Sequence, residues 1–145
     1  MGLMDRLQNR RRERELTTAY QKNTQAIESR WVVVSNLKAF DGPQGEELER
    51  LCLETIQILH AWLSCHPDGE PGWVRPRKVP AYIRLAMLCE HRGDYDKAVE
   101  VCCAAIRAGA PEDGNRSRMF GRLARMMKKA NRPLTPDIEA LLALQ

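Results

Sequence analysis

Residues 80–111 read PAYIRLAMLCEHRGDYDKAVEVCCAAIRAGAP, and this stretch decides the fold. Pro80 suits the first turn of a helix, where a backbone N–H would have no partner anyway. Tyr82, Leu85, Ala86 and Cys89 then fall at i, i+3, i+4 and i+7, one apolar helical face. Gly93-Asp94 supplies a tight turn. A second helix, from about Tyr95 to Ala108, carries Ala98, Cys102 and Ala105 on one side. Gly109 ends it as a left-handed cap, and Pro111 prevents its resumption. Small Ala86 and Ala98 let the two helices cross closely, and larger residues fill the space on either side. The segment is an antiparallel helical hairpin.

Helical spacing continues in both directions. Downstream, about Asn115 to Ala130 presents Phe120, Leu123, Ala124 and Met127 on one face. Thr135-Pro136-Asp137 then starts a last helix, with Thr as N-cap, Pro at the first position and Asp beside the helix dipole; Ile138, Leu141 and Leu142 are its apolar residues. Upstream, about Glu46 to Cys65 forms a helix with Leu48, Leu51, Cys52, Thr55, Ile56 and Leu59 inward. The stretch His66-Pro67-Asp68-Gly69-Glu70-Pro71-Gly72 ends it, and with 73–79 forms the one long loop. From Leu3 to Phe40 there is no Gly or Pro, so this is one long helix, or two with a fray between them. Its first part is charged and thinly apolar. Its second part sets Ile27, Trp31, Val34 and Leu37 on one face before Asp41-Gly42-Pro43-Gln44-Gly45 breaks the chain. No strand is expected, so the fold class is all-α.

The hairpin repeats. Tyr82, Leu85, Ala86, Cys89 and Gly93 map onto Phe120, Leu123, Ala124, Met127 and Asn131, and an upstream echo pairs Trp31, Val34, Ser35 and Gly42 with Tyr82, Leu85, Ala86 and Gly93. With Arg92-Gly93-Asp94-Tyr95-Asp96-Lys97-Ala98 as its most telling part, the pattern resembles the tetratricopeptide repeat (TPR) over about residues 25–145. The resemblance implies a short α-solenoid of about three stacked antiparallel hairpins, since one repeat cannot bury its apolar face alone. Residues 1–24 are then a basic N-terminal helical extension and residues 25–145 the TPR-like domain.

The resemblance implies a protein-interaction module in which the first helix of each hairpin lines a concave groove. Asn36, Arg84, Arg118, Arg122, Arg125 and Lys129 fall on groove-side positions, as do Val32, Ile83, Met87 and His91. Some members of the family clamp a carboxylate with Asn in the first repeat and a basic pair in the third. Asn36, Arg118 and Arg122 stand there, but Val32 replaces the expected Lys and Arg84 the expected Asn. An acidic peptide held by Arg forks is implied rather than a fixed clamp. Residues 116–132 hold seven basic side chains and no acids. That stripe either meets an anionic partner, or is a solvated face paired with the acidic segment 41–70, where seven carboxylates accompany Arg50 alone. Trp73 is either a partner anchor or a lid folded back over the helices.

The charge pattern also admits other roles. Arg10-Arg11-Arg12, Arg14, the 116–132 stripe and Arg75, Arg77 and Lys78 beside Trp73 could all meet nucleic-acid phosphates, although no recognition motif accompanies them. A structural role in a homo-oligomer or larger assembly would use the polar N-terminal helix and the last helix with Leu141, Leu142 and Leu144. Catalysis is not expected: there is no Gly-rich phosphate loop, no nucleophile elbow and no paired carboxylates in a cleft. No cofactor is called for. The cysteines and histidines lack zinc spacing, so no metal is expected either. The 145 residues suit one domain, with 43% hydrophobic and 29% charged side chains. No apolar run reaches the roughly 20 residues of a membrane span. With no secretory h-region and an odd count of five cysteines, reduced thiols in the cytoplasm are expected.

Overall fold

The computed structural model describes residues 2–67 and 69–145; Met1 and Asp68, the latter within the loop read from the sequence, lie outside the described residues. The chain is all-α. Helices α1 (Leu3–Leu37), α2 (Pro43–Leu63), α3 (Pro80–His91), α4 (Tyr95–Arg107), α5 (Arg118–Ala130) and α6 (Pro136–Leu142) form a stack. No strand forms among the described residues; Lys78 and Glu112 share an isolated bridge. No described helix is long and apolar enough to cross a membrane.

Two hairpins, α1–α2 and α3–α4, are joined by packing of α2 on α3, and α4 in turn packs on α5. The third pair is less regular, because the seven-residue α6 rests chiefly on α4. One continuous core runs through the stack, from Tyr20 and Ile27 in α1 to Ile138 and Leu141 in α6. Thr135 caps α6 through Ile138 N–H, and Asp94 caps α4 through Lys97 N–H.

Helices α1, α3 and α5 end in the same way. Gly93 and Asn131 both take left-handed backbone, and the next N–H in each case bonds back to the carbonyl of Cys89 or Met127. In α1 the left-handed residue is Lys38, and Ala39 N–H bonds to Val34 O. Val34 therefore stands where Cys89 stands, and Ile27 stands with Tyr82. This corrects the upstream register, which had paired Trp31 with Tyr82 and Gly42 with Gly93. The physical reason is that α1 stops four residues before Gly42. Leu37 consequently falls outside the core at 64% exposure. Phe40 takes its place instead, stacked on His91 and tilted against Trp31.

Two further expectations shift. Pro43 begins α2 earlier than expected, and Gly45 is buried in its first turn, where a Cβ would lie 2.0 Å from Phe40 O. Helix α5 starts at Arg118 rather than Asn115, after a linker whose Pro111 O accepts from Met119 N–H. Its buried side is Met119, Phe120, Arg122, Leu123, Met126 and Met127, while Ala124 faces solvent.

α1 is a single helix that continues through residue 24, so no break separates an N-terminal extension from the stack. Residues 2–12 are exposed, whereas Glu13 and Leu16 are half-buried and Tyr20 is buried. Tyr20 packs its ring 5.2 Å from that of Trp62 in α2.

Candidate functional site: a charged cleft between three helices

A cleft of about 300 Å³ opens between α1, α3 and the linker into α5. Glu28, Arg84, Lys78, Asp113, Asn115 and Arg122 supply its polar lining, and Pro80, Ile83 and Met87 its apolar wall. Ile83 and Met87, expected on a groove side, line this cleft. Ile83 is nonetheless largely buried.

Each arginine of the cleft has a counterion from its own chain. Arg84 holds Glu28 in a fork, with Nε 3.2 Å from both carboxylate oxygens and Nη2 2.6 Å from Oε2. Its guanidinium also sits 5.2 Å from the Trp31 ring centroid. Arg122 donates from Nε to Asp113 Oδ2 at 3.3 Å, with side chains only 7% and 0% exposed. Asp113 also accepts from Asn115 N–H at 2.9 Å, which orders the linker. Among the described residues, Arg122 Nη1 and Nη2 make no hydrogen bond, and the exposed Lys78 ammonium makes neither a hydrogen bond nor an ion pair.

The remaining groove-side residues do not join this cleft. Arg118, half-buried, lies 3.8 Å from Glu112 and over the Phe120 ring. Lys129 is 4.0 Å from Glu90 and 5.5 Å from the Tyr95 ring centroid. Exposed Arg125 donates to Ser117 Oγ at 3.3 Å. Asn36 is exposed on the last turn of α1. The 116–132 stripe is thus no continuous open band of positive charge. Among the described residues, its counterions come from Asp96, Glu100, Glu112, Asp113 and Glu90, not from the acidic segment 41–70. That segment pairs elsewhere: Glu49 contacts Arg92 and lies 3.1 Å from Lys97 Nζ.

Trp73 folds back. It stacks on His66 at 4.1 Å between ring centroids and meets Trp62 edge-on at 6.3 Å. Sequence reasoning missed Glu28, Asp113 and Asn115. Glu28 is one charge on a charged helix and carries no signal of its partner. Asp113, Gly114 and Asn115 do carry the composition of a turn, which could have marked the linker as a structured wall.

Burial lifts the thiols of Cys52 and Cys102 to about 12 and that of Cys89 to about 11, so they are neutral core groups. No cluster of metal-ligating side chains occurs among the described residues. No protein family, curated protein or solved structure matches this chain.

Proposed function

We propose that this protein is an interaction adaptor or accessory subunit whose cleft takes an acidic segment of a partner polypeptide. The observation that carries the reading is the state of Arg122. It is buried and held in place by Asp113, yet its one hydrogen bond among the described residues is from Nε, so the four N–H groups of Nη1 and Nη2 remain for a ligand carboxylate. Lys78 adds an unpaired ammonium at the rim, and Ile83 and Met87 offer an apolar surface for the intervening backbone or side chains. Glu28 and Asp113 already balance two of the three cations, so the cleft fits one or two carboxylates rather than a polyanion.

Fluorescence anisotropy tests this with a Glu/Asp-rich peptide and its Gln/Asn counterpart. The acidic peptide should bind and the neutral one should not. Lys78→Glu should weaken binding about tenfold or more. Arg125→Glu, away from the cleft, should change it less than about twofold. Equal binding by Lys78→Glu ends the reading. Preferential binding of an arbitrary RNA, falling log-linearly with salt, replaces it with a nucleic-acid role.

A second reading, as a structural subunit, is favoured by the outer side of α1. Leu3, Met4 and Leu7 are all exposed near its start, and light scattering would detect self-association.

A further inference from the structure

The imidazole of His66 lies between two carboxylates. Its Nε2 is 3.1 Å from Glu13 Oε1 in α1, and its Nδ1 contacts Glu70 Oε2 in the loop after α2. The side chain is 12% exposed. Trp73 covers one face of the ring, with an interplanar angle of 3°. Trp62 Nε1 donates to the same Glu13 oxygen at 3.3 Å, and Thr17 Oγ1 lies 3.3 Å from it. One ring therefore joins the first helix, the end of α2 and the long loop.

A carboxylate accepts hydrogen bonds and has no proton to give. Imidazolium carries two N–H groups, whereas neutral imidazole carries one. Only the protonated ring can satisfy Glu13 and Glu70 together. In the neutral ring, one nitrogen must turn its lone pair toward a carboxylate oxygen. We propose that His66 is the pin of a proton-operated latch, which fastens Glu70 and Trp73 to α1 when the ring is protonated and loosens them when it is neutral.

The groups around the ring fit this role. Arg6, Asn9 and Arg10 of α1 line the same recess of about 240 Å³ as Glu13, Cys65, His66 and Glu70. The two arginines oppose a third positive charge, but both carboxylates touch the ring directly. Cys65 directs its Sγ to Ala61 O at 3.6 Å. For Glu13, burial pushes its pKa up, but hydrogen bonds from Trp62 and His66 outweigh this and hold it below the usual 4.5. Glu13 thus stays an acceptor across the range of about pH 5 to 8 in which imidazole changes charge. The direction follows: the latch is closed at the acid end of that range and weakens as pH rises.

Backbone hydrogen exchange of the whole chain tests it at about pH 5.5 and pH 8, after correction for intrinsic rates. The reporters are the amides of Glu70 and Trp73, which bond to Pro67 O and Glu70 O. Their protection should fall about fivefold or more at the higher pH, since one charge-assisted bond is lost. Amides of α3 and α4 should not change. His66→Gln should remove the pH step. Glu70→Gln should shrink it, because the amide oxygen can accept from the protonated ring and the amide NH2 can donate to the neutral one. An unchanged wild-type loop overturns the proposal, as does the same step in His66→Gln. Should His66→Gln lose its helical circular dichroism, Glu70→Gln decides alone, and an undiminished step there is equally fatal.

Discussion

Arg122 reaches across nine residues to Asp113, and the pair links α5 to the linker that leads into it. Breaking such a pair leaves an uncompensated buried charge, which costs about 3–5 kcal/mol. Asp113→Ala should therefore lower the denaturation midpoint in guanidinium sharply. The double variant Asp113→Leu with Arg122→Met should recover much of that loss, because both charges are gone. Equal loss in the single and double variants would show that the linker's shape matters more than its charge.

Glu49 ties α2 to the turn between α3 and α4. Burial pushes its pKa up, but hydrogen bonds from Lys97 and Arg92 overcome that and leave it below the usual 4.5. A lowered carboxylate stabilises the fold above its unfolded pKa and loses that contribution as pH falls through the folded value. Glu49→Gln should be less stable than the parent at pH 7, and the gap should close below about pH 4. Urea melts at the two pH values measure this directly.

Gly45 sits where the start of α2 passes under the end of the preceding turn. A Cβ there would meet Phe40 O at 2.0 Å, its carbon at 2.7 Å and Ala39 O at 3.0 Å. Backbone atoms yield poorly, so Gly45→Ala should cost about 1–3 kcal/mol despite alanine's better helix propensity. Thermal melting against Gln44→Ala, an exposed neighbour in the same turn, isolates the steric effect.

Cys52, Cys89 and Cys102 are buried, with their thiols lifted to about 11 or 12. In the folded state they should react with a disulfide reagent no faster than the chain opens. Half-buried Cys65 should react first. Mass spectrometry of briefly labelled protein should show one fast site, and all five sites after denaturation. Fast labelling of Cys102 would contradict the packing of α4.

The central hairpin was legible because its signals are local. Tyr82, Leu85, Ala86 and Cys89 share a face by spacing alone, and Gly93 at φ 74° does what only a permissive residue does easily. The cap at Thr135 was likewise written in short range. The site was less legible. Arg84 and Arg122 were singled out in the sequence and line the cleft, but Glu28 and Asp113 were not singled out, because pairing between distant charges leaves no periodic trace. Arg84 meets a carboxylate from α1, and no spacing rule connects the two.

The sequence by itself determined that this chain forms helices, where most of them stop and which faces are apolar, since propensity, capping and periodicity act over a few residues. Tertiary structure decided the rest. It set the register of α1 against the later repeats, turned Arg122 and Met126 inward while leaving Ala124 and Leu37 outside, and closed Trp73 over His66. These outcomes depend on which surfaces meet and which charges are desolvated together, and such relations exist only once the chain is packed.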